Sequence, residues 1–269
     1  DDDDDESLDA KHIYTYVALP YNSNINLSSF SSLNAVIEVF GSQPDDIHLV
    51  SNPVEAYVYK SSIDLSSLDV RRKKEAFISL MLPSILIAKK GIEQEYNLVL
   101  QLINKEGILS KSEISYLNNI KKIYKCDDDT DLLSRLKTHP TSIIIAQAAI
   151  ESGWGTSRFY KEANNVFGVW SYNVNEPRIQ AIETREGKAV YVKKYNSVPE
   201  SIDSYFKTIA RGPYVKFRAE REKTDYVCQL IPHLKVYSEL GEEYAEQLEE
   251  LIRYNKLEQY DDYQLNVNE

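Results

Sequence analysis

The feature that most constrains this chain is TSIIIAQAAIESGWG, residues 141–155. At helical spacing the run is apolar on nearly every side, so no face of it can be left in water. A helix of that kind is central and buried, and the rest of the fold is built round it. Its last turn carries a single carboxylate, Glu151, and Gly153 then releases the chain. The helix C-terminus has partial negative charge, which disfavours a second negative charge. Apolar surroundings disfavour the ionised carboxyl as well. Both effects hold a proton on Glu151 toward neutral pH, as general-acid catalysis requires. Trp154, three residues on, is placed to lie beside a cleft and stack on the apolar face of a sugar ring.

With 269 residues and 42 % hydrophobic composition the chain can bury a proper core. Residues 12–68 read as irregular with short strands: HIYTYVALPY, AVIEVF and EAYVYK, parted by Ser, Asn and Pro clusters. From Asp69 the texture turns helical. Asp69 caps a helix with Phe77, Leu80, Met81 and Ile85 on one face, kinked at Pro83 and ending near Gly91. A second helix over 92–104 carries Tyr96, Val99, Leu100 and Ile103. Ser110 with Glu113, and Ser197 with Glu200, have the capping-box spacing. The run DDDTD at 127–131 lacks the mid-loop glycine and closing Glu of a calcium loop, so a helix start at Thr130 is expected. IQAIETREGKAVYVKKY reads as a hairpin turning near Glu186-Gly187. Helices with Ile202, Tyr205, Phe206 and Ile209, and with Tyr244, Leu248, Leu251 and Ile252, face inward. The expected fold class is α+β and mostly helical.

Charge and motifs exclude several classes. Residues 1–9 hold seven acids and no base, so the net charge of −11 falls to −4 for the remainder. Residues 1–11 read as a solvated acidic tail and 261–269 as a polar one. No basic stripe is present to neutralise a phosphate backbone, so nucleic-acid binding is not expected. No stretch approaches the ~18 apolar residues of a membrane span. Cys126 and Cys228 match no metal spacing and pair or stay free as the compartment dictates; His12, His48, His139 and His233 are scattered. There is no G-x-S-x-G elbow, P-loop or dinucleotide fingerprint.

A second cluster, NNVFGVW at 164–170, follows the helix end. Asn164, Asn165 and Phe167 beside glycine suggest a tight loop with amide donors and a ring at its edge. Together with Glu151 and Trp154 they suit the lining of a carbohydrate cleft, while the 20 tyrosines suit a protein core and ring-shaped ligands alike. Phe167 serves equally as a core anchor for that loop.

AQAAIESGWGTSRFYKEANNVFGVW resembles the core motif of the glycoside hydrolase family 73 β-N-acetylglucosaminidases, in their Bax-like branch. The resemblance runs from about DVRRKKEAFISLMLP (69–83) to HLKVYSELGEEYAEQLEELI (233–252) and sets a domain at 69–260. It implies a lysozyme-like fold, with a helical lobe facing a small β-hairpin lobe across a groove. It implies a monomer, without metal or cofactor, that hydrolyses peptidoglycan glycan strands in the periplasm, at the cell envelope or after secretion. The bond would be the β-1,4 linkage after N-acetylglucosamine and before N-acetylmuramic acid. Glu151 falls on the family's catalytic acid, and Tyr214, in ARGPYVKF, on a tyrosine near the groove. Glu183 matches a second carboxylate on the hairpin better than Glu186 does. As a base it would stand roughly 6.5–9.5 Å from Glu151, with a water between and inversion as the outcome. Without it, the substrate's acetamido group or a tyrosine would direct the water. A muramidase or lytic transglycosylase on the same fold, and a cell-wall binding module without catalysis, are the alternatives.

Overall fold

Asp69 starts the longest element: its carboxylate accepts from the backbone N–H groups of Arg71 and Arg72, and α1 then runs Val70–Ile103. At 1.5 Å per residue this helix is about 50 Å long. The break expected near Gly91 does not occur, and Pro83 lies inside the same continuous helix. A mid-helix glycine costs about 1 kcal/mol against alanine. The apolar face continues on both sides of it, with Ile85, Ile87 and Ala88 before and Ile92, Leu98 and Val99 after, all buried. Each fully buried Ile or Leu contributes roughly 1.5–3 kcal/mol, so packing outweighs the glycine. The first half of α1 belongs to the main core. Leu98, Val99 and Leu102 instead meet Leu117, Ile120, Tyr124, Leu132 and Leu136 in a smaller cluster.

The computed structural model describes residues 11–12, 36–59, 62–185 and 188–266, with 11, 12, 183–185 and 188 by their backbone alone. Residues 1–10 of the acidic tail, most of HIYTYVALPY and the hairpin turn at 186–187 lie outside the described residues.

Helix α2 (Lys111–Tyr124) opens on the expected capping box. Glu113 N donates to Ser110 Oγ (3.3 Å) and Ser110 N to Glu113 Oε2 (2.7 Å). Helix α3 (Asp129–Arg135) begins one residue before Thr130, capped by Asp128, which accepts from Asp131 N at 2.8 Å. The central helix α4 is Thr141–Ser152. None of residues 141–149 is more than 1 % exposed. Pro140 precedes α4 and offers no side-chain acceptor. Asp261 supplies one from the other end of the chain, accepting from Ser142 N (2.7 Å) and Ser142 Oγ (2.8 Å). The polar C-terminal segment thus begins as the cap of the central helix.

After α5 (Arg158–Ala163) come β4 (Trp170–Ser171), β5 (Arg178–Arg185) and β6 (Lys188–Lys193). They form an antiparallel sheet in the order β4-β6-β5. Helix α6 (Val198–Arg211) buries Ile202, Tyr205, Phe206 and Ile209 as its spacing predicts. Its capping box does not form. Ser197 makes no side-chain cap bond, and Glu200 Oε2 accepts from Asn196 N at 2.9 Å, one residue earlier than the box requires. Short helices α7 (Val215–Arg221) and α8 (Val227–Leu230) lead into 3₁₀ turns at Ile231–Tyr237. Helix α9 (Glu242–Tyr254) then lies along α4, burying Tyr244, Leu248 and Ile252.

At the N-terminal side, β1 (Lys11–His12) pairs antiparallel with β2 (Val36–Val39), which pairs parallel with β3 (Tyr57–Tyr59). Val36, Val54, Ala56, Val58, Ile63 and Leu65 enter the same core as α1 and α4. A parallel bridge joins Val54 to Leu265. The result is a mostly helical α+β chain with a small antiparallel sheet beside the helices.

Candidate active site

The turn after α4 has a use for nearly every residue of ESGWGTS. Gly153 leaves the helix at φ +58°, and its N–H and that of Trp154 reach back to the carbonyls of Ile150 (3.3 Å) and Ala149 (2.9 Å). Ser152 is fully buried. Its Oγ donates to Ala148 O (2.6 Å) and accepts from Gly155 N (3.0 Å). Its carbonyl accepts from the N–H groups of Thr156 and Ser157. Gly155 sits at φ +76°, where a Cβ would stand 3.1 Å from Phe77 Cδ2 and 3.3 Å from Leu65 Cδ1. Trp154, between the two glycines, also has a positive φ of +57°. That conformation costs an L-residue on the order of 1–2 kcal/mol. The ring meets Phe77 edge-on with centroids 5.5 Å apart, and Lys74 Nζ lies 5.0 Å from its centre.

One turn back, Glu151 is half-buried, and burial pushes its carboxyl above the usual carboxylate range. The Tyr244 hydroxyl, from α9, donates to Glu151 Oε1 at 3.0 Å and draws the pKa part of the way down. Tyr214 precedes α7 and is only 6 % exposed. Its phenol is pushed up to about 12 by burial and by the negative charge of Glu151. Tyr237 is raised by burial and by the same charge, and stacks on Tyr244 at 5.6 Å. Glu151 therefore lies among three tyrosines drawn from three later segments.

Behind Tyr244 the polar contacts continue into the core. Gln147 Nε2 donates to the Tyr244 hydroxyl (3.2 Å), and the Tyr205 hydroxyl donates to Gln147 Oε1 (2.5 Å). Tyr205 in turn meets His139 Nε2 at 2.8 Å.

The loop residues are used differently. Asn165 is 1 % exposed. Its amide donates to Val169 O (3.0 Å) and Lys193 O (2.8 Å), and its Oδ1 accepts from Val169 N (2.9 Å). Asn164 donates to Tyr195 O (3.1 Å) and accepts from Ser62 Oγ (2.7 Å). Both amides tie the loop to β6, to the segment after it and to the N-terminal side of the core. Phe167 is buried and stacks on Tyr205 at 4.4 Å. Glu183 lies in β5, where the pairing with β6 shifts register between Gln180 and Thr184. Its side chain is outside the described residues.

A cleft of about 520 Å³ borders the site, lined by Ile150 and by Gln247, Glu250, Leu251, Arg253, Tyr254 and Asn255. Among the described residues no group of three His, Cys, Asp or Glu is placed to hold a metal ion, and no helix is long and apolar enough to cross a membrane. Cys126 is buried, Cys228 is exposed, and both are free thiols.

Tyr244 and Tyr237 are the site residues that sequence reasoning passed over. The helical spacing of Tyr244 marks an inward-facing core position, and nothing local shows that its hydroxyl reaches a carboxyl on another helix.

Residues 130–257 match the glucosaminidase family, described as mannosyl-glycoprotein endo-β-N-acetylglucosaminidase. The chain is 30 % identical over 204 residues to protein bax of Escherichia coli K12, covering 68 % of this chain and 70 % of that one. It is 28 % identical over 129 residues to exo-glucosaminidase LytG of Bacillus subtilis 168, covering 45 % and 46 % respectively. Among solved structures, the catalytic domain of the autolysin Auto from Listeria monocytogenes is 26 % identical. That match has a TM-score of 0.40 and covers 63 % of this chain and 97 % of that domain. By this match over 130–257 and this extent of identity, the chain belongs to the glucosaminidase family of glycoside hydrolases.

Proposed function

We propose that this chain is an endo-β-N-acetylglucosaminidase of peptidoglycan, acting outside the cytoplasm, with Glu151 as the general acid. The observation that carries the reading is the Glu151 carboxyl itself. It ends a buried helix, burial raises its pKa, and Tyr244 holds one of its oxygens. The protonated carboxyl gives its proton to the leaving glycosidic oxygen as the bond to the anomeric carbon breaks. Trp154, fixed between two glycines and braced by Phe77, is the ring we assign to a sugar face. The buried phenols of Tyr214 and Tyr237 lie near enough to feel the charge of the acid. Asn164, Asn165 and Phe167 build the wall that carries the sheet rather than touching the glycan.

Glu183 is our candidate for the group that activates water. It comes from a strand whose register shift is of the kind that re-aims side chains beside active sites. In that role Glu183→Gln lowers kcat by about 10²-fold or more. A variant with full rate passes water activation to the substrate's acetamido group or to a tyrosine.

The bond is identified by digesting purified peptidoglycan with the wild type, reducing with borohydride and weighing the fragments. Reduced N-acetylglucosamine ends support the proposal. Reduced or anhydro-N-acetylmuramic acid ends make the chain a muramidase or lytic transglycosylase. Binding to insoluble peptidoglycan without release of fragments makes it a wall-binding module.

A further inference from the structure

Five groups from three helices and their flanks form one line of hydrogen bonds, His139–Tyr205–Gln147–Tyr244–Glu151. Four of them are 2 % exposed or less: His139 2 %, Tyr205 1 %, Gln147 0 % and Tyr244 1 %. Water does not reach them, so each proton has to be placed by its neighbours.

The direction of the line follows from Tyr205. Its hydroxyl gives its one proton to Gln147 Oε1, so toward His139 Nε2, 2.8 Å away, its oxygen can only accept. The proton of His139 therefore sits on Nε2 and is donated to Tyr205, while Nδ1 is buried with no partner. With Oε1 accepting from Tyr205, the Gln147 amide N–H faces Tyr244. With its oxygen already accepting from Gln147, the Tyr244 hydroxyl has its own proton free for Glu151. Turning Gln147 over would reverse everything downstream. Tyr244 would donate inward to the glutamine and present a lone pair to Glu151, which could then bind it only when protonated.

We propose that Gln147 and Tyr205 are positioning residues which, through this one-way line from His139, hold the Tyr244 proton on Glu151. They touch neither glycan nor carboxyl. They decide whether the acid's nearest polar neighbour favours its charged or its neutral form. The inference rests on the reading of Glu151 as the acid.

The groups around each end are consistent with that polarity. Glu151 is faced by Tyr244 from α9, Tyr237 from the 3₁₀ segment and Tyr214 ahead of α7. His139 is faced by Tyr205 and Phe206 from α6 and by Phe217 and Arg221 from α7, with Lys89 of α1 also acting on it. Two cations and full burial keep His139 neutral, with a single ring proton to give.

The test is a carbon-13 NMR titration of the Glu151 side-chain carboxyl in the full chain, in wild type, Tyr205→Phe, Tyr244→Phe and the double variant. Tyr244→Phe raises the Glu151 pKa. Tyr205→Phe, remote from the carboxyl, raises it too, by about half a pH unit or more. The double variant matches Tyr244→Phe alone, because both act through one bond. A Tyr205→Phe titration that coincides with the wild type, or a double variant whose shift is the sum of the two, overturns the proposal. Nitrogen-15 shifts of His139 in the unaltered protein give a check that needs no variant. The proposal requires the Nε2–H form, and the Nδ1–H form overturns it. Both readouts stand whether or not the chain cuts a glycan, so a failed relay is distinct from a failed enzyme.

Discussion

The Tyr244 hydroxyl donates to Oε1 of Glu151 across 3.0 Å, joining residues 93 positions apart. It leaves the other carboxyl oxygen free of a described protein donor, and that is the oxygen on which a transferable proton belongs. Burial and Tyr244 act on Glu151 in opposite directions, with burial the larger. Phenylalanine at 244 removes the donor and keeps the ring. The alkaline limb of the kcat profile then moves to higher pH, with the maximal rate about tenfold lower. Initial rates on peptidoglycan across pH measure both.

Glu151 also bears on stability, with a definite sign. Its folded pKa is raised above the unfolded one, so its contribution is fully present below the unfolded pKa and is lost as pH rises through the folded pKa. Glu151→Gln does not titrate and keeps an acceptor for Tyr244. The variant should melt above the wild type near neutral pH and together with it in acid, as followed by thermal unfolding over a pH series. A wild type that is the more stable at neutral pH would contradict the pKa direction.

Gly155→Ala tests the turn that sets Trp154. The new Cβ meets Phe77 at 3.1 Å, at a φ of +76° that alanine resists. The expected loss is about 1–3 kcal/mol in denaturant unfolding, with kcat/KM falling further than stability because Trp154 and Glu151 share the turn.

Asn165→Leu separates wall-building from sugar-binding. It removes the amide donor to Lys193 O and the acceptor of Val169 N at a buried position, while Val169 O keeps the Lys193 N–H. The expected cost is about 2–4 kcal/mol, seen as a lower unfolding midpoint. KM for peptidoglycan should hold at temperatures where the variant is folded. A large rise in KM without loss of stability would return Asn165 to the glycan.

How much of this was legible in sequence follows the range of each interaction. The buried central helix, the glycine release at 153 and the box at Ser110–Glu113 are set within a few residues, and all three are present. Gly91 reads locally as a stop, yet α1 passes through it because Ile87, Ile92 and Val99 pack against segments far along the chain. Ser197 and Glu200 have the right spacing, but Asn196 takes the carboxylate first. The cap of α4 comes from Asp261, 119 positions away, within what reads as a polar tail. At the site, Glu151 stands out because its helix end is conspicuous, whereas Tyr244 looks like one more core tyrosine. NNxFG marks a loop correctly, but which partners its amides satisfy is fixed by β6 and by Ser62.

The most direct test of the account is to digest purified peptidoglycan with wild type and with Glu151→Gln, each shown to be folded by circular dichroism, and to count new reducing ends by mass spectrometry. The account predicts reduced N-acetylglucosamine ends from the wild type and a loss of about 10³-fold or more in the folded variant. A folded Glu151→Gln protein that releases the same ends at the wild-type rate would contradict it.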